Sequence, residues 1–178
     1  MRIVSGSLKG RRFSPPKNFK ARPTTDFAKE NLFNVLNNSI DFDDLKVLDL
    51  FAGTGSISYE FASRGSNDVT CVETNFNHFR FIKKTIGELG LERSVKVIKG
   101  DAFKFVEKTP EKFDLVFADP PYDLVGAEKL PDLIFKNNIL NEDGVLIFEH
   151  SGTVSFNTHP KFIENRENGK VIFTIFKP

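Results

Sequence analysis

Tryptophan is absent from this chain of 178 residues, and cysteine and methionine occur once each. The lone cysteine, Cys71, rules out an intrachain disulfide and suits a reducing compartment. It falls in the apolar run 69–72, where a buried strand thiol is expected. No apolar run approaches the ~18 residues of a membrane span. The N-terminus also lacks the apolar stretch of a signal peptide, so a cytoplasmic protein is expected. His78, His150 and His159 have no neighbours at metal-ligand spacing, and no metal centre is expected. The length suits one domain with its own core. Phenylalanine is the conspicuous excess, with twenty residues, and a Phe-rich core is the only physical reading of that bias.

Acidic residues are missing from the first 22 positions, which carry Arg2, Lys9, Arg11, Arg12, Lys17, Lys20 and Arg22. The remaining 156 residues hold 18 basic and 24 acidic side chains, so a net charge of +1 conceals a basic arm on a mildly acidic body. That asymmetry points to a polyanion held at one end; a solvated tail is the plain alternative. Arg2–Ser5 and Arg11–Phe13 flank a turn-prone segment and are expected to form a small hairpin. A helix follows from about Thr24 to Asn38, with the Thr/Asp cluster at 24–26 as capping groups.

From Leu45 onward strands alternate with helices. Strands are expected at Lys46–Phe51, Asp68–Glu73, Ser94–Ile98, Phe113–Ala118 and Gly144–Phe148. Helices are expected at Ser56–Ser63, after Asn75, at Ala102–Lys108 and within 126–136. A closing antiparallel pair is expected near Phe162–Glu164 and Val171–Phe176. The continuous apolar strands predict a doubly wound α/β sheet with helices on both faces.

Four motifs carry chemistry. Val47-Leu48-Asp49-Leu50-Phe51-Ala52-Gly53-Thr54-Gly55-Ser56 runs from a buried strand through a Gly-rich turn into a helix, where backbone can approach a ligand and helix N–H groups are available. Glu73 ends the next strand, 20 residues after Gly53, placed to accept from ribose hydroxyls. Both suit NAD as well as S-adenosylmethionine. The dinucleotide fingerprint, however, wants glycine where Ser58 stands, and the strand acid Asp49 is typical of methyltransferases. Gly100-Asp101-Ala102-Phe103 follows the third strand; Asp101 can accept from an adenine amino group, or simply cap a helix.

Asp119-Pro120-Pro121-Tyr122 decides among these options, because it follows the fourth strand directly. Ligands of open α/β sheets bind beyond the carboxyl ends of strands, where strand order reverses. An amino group on a base is a poor nucleophile, its lone pair being delocalised into the ring. An acceptor at Asp119 can hold its hydrogens, the stiff X-Pro turn can aim a carbonyl at the same nitrogen, and Tyr122 offers a ring for an unstacked base.

With these residues in view, the chain resembles the RsmD-type bacterial small-subunit rRNA guanine-N2 methyltransferase family. The resemblance covers almost the whole chain: Arg2-Ile3-Val4-Ser5-Gly6, Lys9-Gly10-Arg11, Arg22-Pro23-Thr24-Thr25, Glu30-Asn31-Leu32-Phe33-Asn34, the Leu48–Ser56 turn and Asp119–Tyr122. It implies a single Rossmann-like class I S-adenosylmethionine-dependent methyltransferase domain at 24–178. The sheet would be mostly parallel and seven-stranded, and residues 1–23 would form a basic hairpin/helix extension. It further implies a cofactor pocket at Asp49, Phe51, Ala52, Gly53, Gly55, Glu73, Asp101 and Ala102, and a target-base pocket at Asp119, Pro120, Pro121 and Tyr122. Arg2, Lys9, Arg11, Arg12 and Arg22 would contact RNA. The implied substrate is a guanine of 16S rRNA, at position 966 by the resemblance, in a small-subunit particle or assembly intermediate, and the enzyme would be a monomer. Two departures stand out: the family often has Phe where Tyr122 stands, and Ser151–Pro160 replaces a full helix after strand five.

The alternatives differ in class. A DNA adenine methyltransferase shares the Asp-Pro-Pro-Tyr motif but needs a target-reading domain that 178 residues hardly contain. A pyrimidine-carbon methylase needs a nucleophilic cysteine, and Cys71 is in the wrong place. A nicotinamide oxidoreductase would be separated by cofactor identity, and a non-catalytic RNA-binding module by binding without methyl transfer.

Overall fold

In a computed structural model, residues 1–16, 19, 25–37, 40–169 and 171–178 are described. Seven strands form one sheet: β1 Lys46–Leu50, β2 Asp68–Glu73, β3 Val95–Lys99, β4 Phe113–Ala118, β5 Leu140–Ser151, β6 Phe162–Asn168 and β7 Val171–Phe176. Their order is β3-β2-β1-β4-β5-β7-β6. The first five strands are parallel, β7 runs antiparallel to β5, and β6 pairs antiparallel with β7. This is the Rossmann-like class I methyltransferase fold.

The helices are α1 Asp26–Asn37, α2 Ser56–Ser63, α3 Phe76–Leu89, α4 Ala102–Lys108 and α5 Leu130–Lys136. None among the described residues is long and apolar enough to cross a membrane. Capping explains the sharp boundaries. The Asn75 side chain accepts from the N–H groups of Asn77 and His78 to start α3, and Gly90, at φ 71°, ends it. Thr25 Oγ1 accepts from Ala28 N at 3.1 Å in the first turn of α1.

The sheet separates two cores because central strands bury both faces. On one face α1, α2 and α3 cover Val47, Cys71, Leu115, Phe117 and Ile147. On the other, α4 and α5 cover Leu48, Val72, Val116, Ala118 and Phe148. The phenylalanines cluster on each: Phe33, Phe42 and Phe61 on the first, Phe148, Phe156 and Phe176 on the second. Residues 152–160 form turns and bends, with Phe156 buried in the second core.

The expected small N-terminal hairpin is present: Arg2 bridges Arg12 in antiparallel fashion, Ile3 N donates to Arg11 O at 2.9 Å and Phe13 N to Met1 O at 3.2 Å. Beyond the bridge, the backbone groups of the turn go to the domain. Val4 N donates to Glu60 Oε1 at 2.6 Å, Ser7 N to Ser63 O at 2.7 Å and Leu8 N to Ser63 Oγ at 2.9 Å. These partners are on α2, so the segment docks on the domain as well as pairing with itself. Gly6, at φ 79°, permits the approach, since a Cβ there would lie 1.8 Å from Ser63 O. Ile3 and Phe13 are buried in the same core as α1 to α3.

Candidate active site

At the end of β1 the chain turns under strain. Phe51 adopts φ 65°, uncommon for a residue with a Cβ, and Gly53 and Gly55 follow at 57° and 77°. A Cβ on Gly55 would lie 2.4 Å from the Tyr59 hydroxyl oxygen. The turn is tied down by Ala52 N donating to Val72 O and Gly55 N donating to Ala52 O. Gly55 caps α2 without a side-chain hydrogen bond, so the first-turn N–H groups are not satisfied by a capping side chain. Below the turn, buried Asp49 accepts from Ser58 Oγ at 2.6 Å. Burial raises the Asp49 carboxyl to about 7; the Ser58 bond opposes this, and the charges of Asp119 and Glu73 add to it. Ser58, at the position where a dinucleotide fingerprint needs glycine, therefore has a positive role: it holds Asp49.

The Glu73 carboxylate ends β2 beneath the same turn. Its Oε2 accepts from Gly53 N at 2.8 Å and its Oε1 from Asn75 N at 2.6 Å. Asp101 is exposed and caps α4 by accepting from Lys104 N at 3.0 Å, with Ala102 buried beside it. Phe51 and Phe103 meet edge to face at 6.4 Å.

Asp119 follows β4, which lies between β1 and β5, so the strand order reverses between β1 and β4. Asp119 N approaches Leu50 O at 3.5 Å, continuing the contact with β1. Pro120 is buried and Pro121 exposed, and Leu124 N closes the turn onto Pro121 O at 2.9 Å. Tyr122 is 58% exposed. One edge of the sheet thus gathers Asp49, Phe51, Ala52, Gly53, Gly55, Glu73, Asp101, Ala102 and Asp119–Tyr122. It offers acceptors for hydroxyls at Glu73, N–H groups at the α2 N-terminus and an acceptor at Asp119 beside them.

Among the described residues, the basic side chains of the N-terminal arm are not brought to this edge. The Arg11 guanidinium donates to Glu88 O at 2.9 Å, near the far end of α3 from Glu73; at the helical rise that is about 18 Å along the axis. Lys9 and Arg12 are exposed on the same segment. Arg2 is paired with Asp26 at 2.9 Å and Glu30 at 3.8 Å. Arg22 lies outside the described residues, as do Lys17 and Lys20. The segment does reach the edge at Phe19, which stacks on His78 at 4.1 Å, and His78 Nδ1 lies 3.7 Å from Glu73 Oε1. Sequence reasoning gave no role to Ser58, Phe103, Phe19 or His78, since their contacts arise only on packing. Among the described residues no group of three or more His, Cys, Asp or Glu could hold a metal ion.

The family model described as "Conserved hypothetical protein 95" matches residues 1–177. The chain is 34% identical to "Putative rRNA methyltransferase YlbH" of Bacillus subtilis, over 86% of this chain and 84% of that protein. It is 30% identical to "Ribosomal RNA small subunit methyltransferase D" of Escherichia coli K12, over 84% of this chain and 74% of that protein. The solved structure of "Putative methyltransferase yhhF" from Escherichia coli superposes with a TM-score of 0.85 at 26% identity, covering 99% of this chain and 96% of that one.

Proposed function

This chain belongs to the conserved hypothetical protein 95 family, the RsmD-type ribosomal RNA methyltransferases, and from that premise we propose that it methylates the exocyclic N2 of a guanine in small-subunit rRNA with S-adenosylmethionine. By the resemblance the nucleotide is guanine 966, reached in a small-subunit particle or assembly intermediate by a monomeric enzyme. The observation that carries the reading is the placement of Asp119-Pro120-Pro121-Tyr122 at the reversal of strand order, beside the Gly53–Gly55 turn.

The residues fit the cofactor. The crowding at Gly55 excludes a side chain at that position, and Glu73 retains lone pairs after accepting two backbone N–H groups. Glu73 then holds ribose hydroxyls, Asp101 with the Ala102 backbone holds the adenine edge, and Phe51 with the turn from Ala52 to Gly55 lines the path between. When bound, S-adenosylmethionine supplies an electrophilic methyl carbon on sulfur. Asp119 and the Pro120 carbonyl hold the amino hydrogens so that the nitrogen lone pair points along the line of transfer, and Tyr122 stacks on the base. Most of the rate gain is then positional. Lys9, Arg11 and Arg12 contact phosphates remote from the pocket, which orients the RNA without reading its sequence, and Arg22 contacts RNA as well. Arg2, already engaged by two carboxylates, contributes the least.

The test is methyl transfer from labelled S-adenosylmethionine to small-subunit particles, free small-subunit RNA and duplex DNA, with nucleoside analysis of the product. N2-methylguanosine in the small-subunit substrates is expected; label in adenine or in DNA overturns the reading.

A further inference from the structure

The first turn of α3 brings a histidine to the carboxylate that ends β2. His78 lies four and eight residues before Ile82 and Ile86, so it continues the buried face of the helix at the end nearest Glu73. Its Nδ1 is 3.7 Å from Glu73 Oε1, and its side chain is only 12% exposed. Phe19, from the N-terminal segment, covers one face of the imidazole at 4.1 Å, with the rings inclined by 25°. Phe19 is held in turn by Phe81, edge to face at 5.2 Å, and its N–H donates to Pro16 O at 3.0 Å. The imidazole is thereby fixed with one nitrogen beside the carboxylate.

A separation of 3.7 Å is too long for a direct hydrogen bond. It is the right width for a shared one. A hydroxyl oxygen about 2.8 Å from each atom fits between them, donating its hydrogen to Glu73 and accepting one from His78. The neighbouring carboxylate favours the ring form that carries a proton on Nδ1, since a bare lone pair there would face Oε1. Glu73 receives its two backbone donors, Gly53 N and Asn75 N, on different oxygens, so each oxygen keeps a lone pair. A ribose presents two adjacent hydroxyls to such a carboxylate. Resting on the reading of this turn as the S-adenosylmethionine pocket, we propose that His78 is a further cofactor-binding residue. It donates from Nδ1 to the ribose hydroxyl that Glu73 Oε1 accepts from, and Phe19 holds the imidazole at that angle. The second hydroxyl goes to Glu73 Oε2 alone.

The experiment is calorimetry on the full chain with S-adenosylhomocysteine and its 2′-deoxy and 3′-deoxy analogues. Each is titrated into the parent, into His78→Phe, which keeps a ring against Phe19 but has no N–H, and into His78→Gln, which keeps a donor. The parent should bind both analogues more weakly than the natural compound, and the one lacking the shared hydroxyl most weakly. His78→Phe should weaken the natural compound by about 3- to 10-fold, the range of one net hydrogen bond. It should weaken the analogue that keeps the shared hydroxyl by the same factor and leave the other unchanged. His78→Gln should recover part of the loss, again only for ligands that carry that hydroxyl. Equal losses on all three ligands in His78→Phe would mean that His78 merely supports the fold around Glu73. No loss on any would mean that it does not touch the cofactor, and either result overturns the proposal. A parent that binds both analogues as tightly as the natural compound overturns it whether or not the variants fold, and leaves the cofactor reading standing. A parent that binds none of the three overturns the cofactor reading itself, and the proposal with it.

Discussion

Replacing Lys29 by Met should destabilise the domain by about 3 kcal/mol, although Lys29 is not among the expected catalytic groups. Its side chain is fully buried, as is that of Glu60. The Lys29 ammonium donates to the Arg2 carbonyl and lies 3.4 Å from both Glu60 Oε1 and Asp26 Oδ1. Glu60 in turn accepts from Val4 N, and its Oε2 lies 3.6 Å from Arg64 Nε, an ion pair without a hydrogen bond. Burial pushes the Glu60 carboxyl up, while Val4 N–H, Lys29 and Arg64 pull it down. Removing one partner of a buried pair costs about 3–5 kcal/mol, because the other charge is stranded. Arg64 still faces Glu60 in the variant, which sets the lower end of that range. For a domain of this size about 3 kcal/mol corresponds to a fall in Tm of roughly 6–12 °C. Urea unfolding of Lys29→Met, Glu60→Gln and the double variant closes a cycle. The double variant should be more stable than the sum of the single losses implies, since it strands neither member of the Lys29–Glu60 pair, and the loss at Arg64 is common to Glu60→Gln and the double variant. Strict additivity would refute the claim that this pair fastens the N-terminal segment to α1 and α2.

Asp49→Asn should change the pH dependence of stability. The parent carboxyl titrates near 7 when folded against an ordinary value of 3.8. Between those values the folded chain binds the extra proton, so its stability falls as pH rises. The variant's urea midpoint should match the parent near pH 4 and exceed it at pH 8, and parallel profiles would contradict this. Asp119→Ala should abolish most methyl transfer while cofactor affinity, measured by calorimetry, stays within a few-fold. Glu73→Ala should weaken cofactor binding by about 1.5–3 kcal/mol per charge-assisted hydrogen bond lost, with no comparable NAD binding in the parent. Neutralising Lys9, Arg11 and Arg12 together should flatten the log–log salt dependence of RNA binding by about two to three units. An unchanged slope would place the RNA surface elsewhere.

Five elements were legible to the residue: Ser56–Ser63, Asp68–Glu73, Ala102–Lys108, Phe113–Ala118 and Val171–Phe176. Their apolar runs end abruptly at capping or turn residues, so local chemistry sets their limits. Strand β5 begins at Leu140 instead of Gly144, because Leu140 pairs with Phe113 across an irregularity that accommodates polar Asn141-Glu142-Asp143. Strand β6 continues through Glu164–Asn168, a polar stretch with no strand pattern, because β7 supplies its hydrogen bonds. Tertiary pairing wins in both cases over local propensity. The acids and glycines of the sheet edge were legible because motif spacing places them at strand ends. The contacts that support them were not. The Asp49–Ser58 bond and the Lys29–Glu60 pair join residues whose meeting depends on how α1 and α2 pack. Nor could spacing show that Arg11 docks at the far end of α3 from Glu73.

Mass-spectrometric mapping of small-subunit rRNA tests the central claim most directly. The RNA would come from cells lacking this protein, complemented with either the parent or Asp119→Ala. The account predicts one N2-methylguanosine that is lost in the deletion, restored by the parent and not restored by Asp119→Ala. An unchanged small-subunit modification pattern, or restoration by Asp119→Ala, would contradict it.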